Sequence, residues 1–177
     1  GPPAPDPPVS VVTRLAFNPN GNSTWFMAVM QMVNMSTLLG ILLTGASHGV
    51  LFGLAAVYAT RAGFGSGATA AFLALPSIGA LVFQWPIGWA SDRLPRRAVI
   101  FAVALAAAGM ATALGMTPEG SVAALPLMFV LGGLTFPLYS LLLSHTLDRS
   151  PAGAGMGASG ASLRVNGVGA VVGPIVA

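Results

Sequence analysis

The chain has 177 residues, 55% hydrophobic and only 6% charged, with a mean hydropathy of +0.82. Soluble domains carry roughly 25% charged residues, so a water-exposed fold is excluded and most of the solvent must be lipid. The net charge of +3 comes from seven arginines against four acids; arginines scattered over loops argue for membrane orientation rather than for a nucleic-acid partner.

Residues Gly1–Asn22 are Pro-rich and read as an extended polar linker. The first ten lack the basic start and apolar core of a signal peptide. A first residue that is Gly rather than Met is expected of a processed, tagged or partial chain. Crossing ~30 Å of hydrocarbon takes about 20 apolar residues as a helix, and Trp25–Thr60 is too long for one crossing. Its span is placed at about Thr37–Tyr58, with Ser23–Met35 as an interfacial or lead-in helix; two spans there are the alternative. Four further spans follow at Ala68–Ala90, Ala98–Met116, Val122–Leu143 and Gly155–Ala177. Gly/Pro-rich turns separate them at 61–67, 117–120 and 148–153.

Five spans place the linker, the Asp92 loop and the Asp148 loop on one side of the membrane, with Arg14, Arg93, Arg96, Arg97 and Arg149. The other side holds Arg61 and Glu119. That five-to-one arginine bias orients the Asp92 loop toward the cytoplasm.

Gly88-Trp89-Ala90-Ser91-Asp92-Arg93-Leu94-Pro95-Arg96-Arg97 is a knot of charge between two apolar runs. It resembles the signature loop of the major facilitator superfamily, Gly-x-x-x-Asp-Arg/Lys-x-Gly-Arg-Arg/Lys, at Gly88, Asp92, Arg93, Arg96 and Arg97, and departs from it at Pro95. In the last span, Gly167-Val168-Gly169-Ala170-Val171-Val172-Gly173-Pro174 is similar to the superfamily's Gly-Pro helix motif. Gln84-Trp85-Pro86-Ile87-Gly88 and His145-Thr146-Leu147-Asp148-Arg149 resemble the C-terminal half of one bacterial subgroup. The resemblance implies helices seven to eleven of a twelve-helix transporter. The fold is then all-α integral membrane, about five transmembrane helices or six. Residues 1–22 form a cytoplasmic linker and 23–177 a transmembrane half-domain of the bacterial inner membrane.

Gly88 is expected to allow close helix approach, Asp92 to face a helix N-terminus, and Arg93, Arg96 and Arg97 to hold a gating loop at the anionic cytoplasmic surface. Gly169, Gly173 and Pro174 are expected to serve helix packing, the first two as a small-xxx-small face and Pro174 as a permitted kink. Arg164, with Asn166 close by, is costly inside a membrane. Its functional reading is substrate-anion binding or a charge relay with Asp92 or Asp148, and its alternative is snorkelling toward the cytoplasm. His48 reads either as a coupling group, since histidine titrates near physiological pH, or as a neutral side chain bonded to a carbonyl of the next helix.

Met27, Met30, Met32 and Met35 could suit Cu(I). They do not share one tight ligand face and are read as apolar filler, so no metal and no cofactor is expected. Without cysteine, neither a disulfide framework nor a thiolate site is available. Ser47, Ser140 and Ser144 lack a His–acid constellation, and Gly63–Gly67 lacks the Lys-Ser/Thr of a phosphate loop, so no enzyme is expected. The expected partners are the lipid bilayer, a small-molecule substrate, and a missing N-terminal half or other membrane subunits, with no nucleic acid. The expected function is secondary transport of a small solute by alternating access. Its alternative is a non-transporting membrane subunit derived from a half transporter.

The orientation has a direct check, because the chain carries no cysteine to replace. A single Cys at Leu94 should react with a membrane-impermeant maleimide only after the cytoplasmic side is opened. One at Glu119 should react in intact cells.

Overall fold

A computed structural model describes residues 23–148 and 155–177 of the chain. The Gly1–Asn22 linker, Arg14 and Arg149 lie outside the described residues. The described residues form helices α1 (Ser23–Gly53), α2 (Ala55–Arg61), α3 (Ser66–Arg93), α4 (Arg96–Gly115), α5 (Ala124–Leu147) and α6 (Gly155–Val176). The chain divides at Met35 into two compact units, 1–35 and 36–177. In the first, Trp25, Met27, Met32 and Met35 are exposed.

Among the described residues, four stretches are long and apolar enough to cross a membrane: Met27–Arg61, Ser66–Arg93, Arg96–Gly115 and Ala124–Leu147. The first takes in the expected span at about Thr37–Tyr58, within which hydrogen bonding continues past Leu54 into α2 (Leu54 N–H to the Val50 carbonyl, 3.0 Å; Tyr58 N–H to the Leu54 carbonyl, 2.8 Å). The fifth expected span is the helix α6, with 22 residues. It is absent from the four sufficiently apolar stretches because glycines, serines, Arg164 and Asn166 dilute its apolarity.

Helix α5 is the hub of the second unit. Of its most apolar window 56% is buried, against 17% in α3 and in α4. Lipid supplies no hydrophobic drive between helices, so van der Waals contact between closely approaching backbones must hold them. Along α3 and α5 this contact is made by Gly79 under the Phe129 carbonyl and Gly132 against Pro76. Along α1 and α6 it is reciprocal. A Cβ at Gly45 or Gly49 would strike the carbonyl of Asn166 or Ala170, and one at Gly169 or Gly173 would strike that of Leu42 or Ala46. The partners advance one turn at a time on both helices, and Gly53 meets Pro174 at the far end, so α1 and α6 run parallel. The expectation for Gly169 and Gly173 thus gains two partners, and α6 stays helical past Pro174 to Val176.

The loops sort to two ends. Gly63 (φ 73°) and Gly120 (φ 76°) close turns in the left-handed region. A Cβ on Gly120 would come within 2.9 Å of the Ala62 carbonyl, so the α2–α3 and α4–α5 turns share one end. The α3–α4 turn and the end of α5 meet at the other through the ion pair described below.

Gly169→Leu should cost about 3 kcal/mol of stability through backbone displacement. Gly167→Leu, on a glycine with open space around it, should stay within about 0.5 kcal/mol. Thermal unfolding in detergent compares them.

Candidate functional site

Three helix ends converge at the Asp92 loop. Ser91 is buried in the last turn of α3, Arg96 opens α4, and Asp148 follows the last residue of α5. Arg96 Nη1 donates to Asp148 Oδ2 at 2.6 Å, and its Nε donates to Ser91 Oγ at 3.3 Å. Each charge opposes its own helix dipole, a cation at an N-terminus and an anion at a C-terminus. Pairing them across adjacent antiparallel ends offsets both. Asp148 is 61% and Arg96 28% exposed, so the pair is worth at most about 1 kcal/mol. Its effect is to fix geometry rather than to stabilise the fold.

Two expectations for this loop are corrected. Asp92 is exposed, and among the described residues it makes no hydrogen bond or ion pair; Asp148 supplies the carboxylate instead. Gly88 does not mediate close approach, since a Cβ there would meet nothing within 4 Å. Pro95 costs the loop nothing: it caps α4 at φ −55°, its carbonyl accepts from Ala98 N–H at 2.8 Å, and the turn closes with no positive φ. Arg93 is exposed and stacks 4.0 Å over the Trp89 ring, and Arg97 is exposed at the start of α4.

Arg164, Asn166 and His48 do not converge on one point. Asn166 Nδ2 donates to the Ile41 carbonyl (3.3 Å) and to Thr44 Oγ1 (3.4 Å), clamping α6 to α1 beside the glycine seam. His48 Nε2 lies 3.3 Å from the Thr135 carbonyl of α5, and its ring stacks 4.4 Å from that of Phe136. Arg164 is exposed. At about 100° per residue it lies opposite the α6 face that Gly169 and Gly173 press on α1. The expected relay to an acid is not formed: Asp148 is taken by Arg96, and among the described residues Arg164 has no ion pair.

A groove of about 650 Å³ runs between α1, α4, α5 and α6, with Thr44, Ser47 and Thr135 as polar lining. All three hydroxyls donate to carbonyls of their own helices, those of Ile41, Leu43 and Leu131. They therefore present acceptor lone pairs and, from Thr44 and Thr135, methyls, and the groove is apolar.

The chain matches the Major Facilitator Superfamily over residues 2–175. It belongs to that superfamily. It is 34% identical over 143 residues to a chloramphenicol resistance protein of Streptomyces lividans, covering 81% of this chain and 36% of the relative. It is 26% identical over 139 residues to an uncharacterized MFS-type transporter of Yersinia pestis, covering 76% of this chain and 34% of the relative. The superfamily chain thus spans about a third of these relatives' length. No solved structure matches it. The family, and relatives named as transporters, point to a membrane transporter rather than an enzyme, and the apolar helices make this a multi-pass protein of the bacterial inner membrane.

Sequence reasoning missed the Arg96–Asp148 pair and the Gly45–Gly49 half of the seam. The second was open to detection, since Gly45-Ala46-Ser47-His48-Gly49 is itself a small-xxx-small pattern. A double-mutant cycle on Arg96→Gln and Asp148→Asn, followed by thermal unfolding, should return a coupling below about 1 kcal/mol. The charge-swapped pair Arg96→Asp with Asp148→Arg, which aligns both charges with their helix dipoles, should be at least as stable as the parent.

Proposed function

We propose that the chain is the C-terminal helical half of a secondary transporter that moves a small solute across the inner membrane by alternating access, driven by an ion gradient. The observation that carries this reading is Arg164. Asn166, two residues further along the same helix, bonds at the level of Ile41 and Thr44. Gly40, just before them, meets Leu142, which lies nearly two turns of α5 inside Asp148, roughly 9 Å at 1.5 Å per residue. An arginine at that depth costs about 2.5–3.5 kcal/mol when it faces lipid. A water-filled or protein-lined path across this face removes that cost, and such a path is what a transporter needs. The glycine seam and the Arg96–Asp148 pair support the same reading, because they let the bundle rock as one body against a complementary half.

The outward position of Arg164 makes it the proposed substrate or coupling residue. His48 and Asn166, both engaged with neighbouring backbone, are positioning residues in this reading, and Asp92, exposed on the loop, is proposed for gating. The name of the Streptomyces lividans relative makes chloramphenicol the first solute to test.

Cells expressing the transporter that contains this chain should accumulate less chloramphenicol than control cells, and a protonophore should abolish the difference. Arg164→Ala should lower the flux about tenfold or more, about 1.4 kcal/mol or more at the rate-limiting step, with unchanged protein level in the membrane. Normal flux in both Arg164→Ala and Asp92→Asn overturns the assigned roles and leaves Arg164 as a snorkelling residue. The absence of any energy-dependent difference for chloramphenicol and a panel of small solutes favours the non-transporting membrane subunit.

A further inference from the structure

His48 has two ring nitrogens, and the bundle uses one. Nε2 lies 3.3 Å from the Thr135 carbonyl. A carbonyl only accepts, so Nε2 carries the proton of that bond, and the neutral ring keeps a lone pair on Nδ1. Among the described residues Nδ1 has no partner. The one buried side-chain nitrogen or oxygen without a partner there is Ser162 Oγ, so Nδ1 reaches the surface of the bundle.

That acceptor lies deep. Gly40 meets Leu142, roughly 9 Å inside Asp148, and His48 is two turns further along α1, about 12 Å more. Arg61 follows roughly 20 Å beyond His48. An acceptor that far from both charged ends is out of reach of lipid headgroups, and hydrocarbon offers no donor. Backbone N–H groups of the surrounding helices are spent on their own turns. Left without a donor at this depth, the lone pair is costly.

Aromatic surface adjoins it. The His48 ring stacks on Phe136 at 4.4 Å and 16°. Phe52, one turn after His48, meets the same Phe136 ring edge-on at 5.5 Å. The stack and the Thr135 bond hold the imidazole plane, which gives the Nδ1 lone pair one direction. Phe52 is 50% exposed, so ring surface stays open one turn from Nδ1.

We infer that His48 Nδ1 and Phe52 recognise a solute with an aromatic ring that carries an N–H or O–H donor. The donor bonds Nδ1, and the ring packs on Phe52. This names the solute class for the transport reading above and rests on it. His48 then positions through Nε2 and contacts the solute through Nδ1. One such hydrogen bond favours the donor over its methylated analogue about fivefold. One aromatic contact favours the ring over its saturated counterpart by about the same factor.

The test measures binding rather than flux, in nanodiscs holding the transporter that contains this chain. The probes are benzamide, N,N-dimethylbenzamide, which lacks the donor, and cyclohexanecarboxamide, which lacks the ring. Benzamide should bind about fivefold tighter than either. His48→Gln keeps a donor for the Thr135 carbonyl but no acceptor at Nδ1, and should abolish only the preference over the dimethyl amide. Phe52→Leu should abolish only the preference over the cyclohexyl amide. Nitrogen NMR of histidine-labelled parent protein, with His48 assigned by its loss in His48→Gln, reads the site without relying on a variant. Nδ1 should be unprotonated and should shift with benzamide but not with the dimethyl amide. Equal binding of the three probes overturns the site, as does a protonated or unresponsive Nδ1. So does an Nδ1 already bonded to a donor of the complementary half before solute is added. Energy-dependent solute movement without these preferences sinks the solute class alone, whereas these preferences without any movement sink the transport reading.

Discussion

The constraint on which this bundle depends is that lipid gives its helices no reason to associate except contact. Helices α1 and α6 meet it by removing side chains: Gly45 and Gly49 from one, Gly169 and Gly173 from the other, so that backbone rests on backbone. The remaining architecture follows from that seam. Asn166 sits at the level where its amide reaches Ile41 and Thr44. Once those residues of α6 face α1, helical geometry sends Arg164 the opposite way. The arginine's outward position follows from where the glycines are.

The charged end obeys a different rule. With so few charges in the chain, each one is informative, and the two that pair do so against their own helix dipoles. The pair contributes little stability because it is solvated, yet it joins the end of α5 to the α3–α4 turn. It also separates three neighbouring arginines by role: Arg96 belongs to the bundle, whereas Arg93 and Arg97 face outward. That division underlies the rigid-body reading of transport.

Much of the fold was legible in the chain. Apolar runs, Gly/Pro turns and arginine bias located five long helices and their alternating direction, because each of these signals is local or counts residues along the chain. The Asp92 loop and the Gly-Pro helix pointed to the superfamily that the family comparison shows. The site was less legible. A loop motif led to Asp92, but the carboxylate in use is that of Asp148, far along the chain. Gly88 matched a pattern without the close contact assigned to it. Arg164 and Asn166 looked like one polar pair, yet two residues along a helix rotate by about 200° and face opposite neighbours.

Sequence by itself determined that the chain lives in lipid, where its helices lie, and which family they belong to, since hydropathy and signature loops need no partner to be read. Tertiary structure alone decided which acid answers which arginine, which glycines touch, and which polar side chains are spent on neighbouring backbone. Those outcomes depend on helix rotation and register, and rotation is settled only when one helix's carbonyls meet the bare glycines of another.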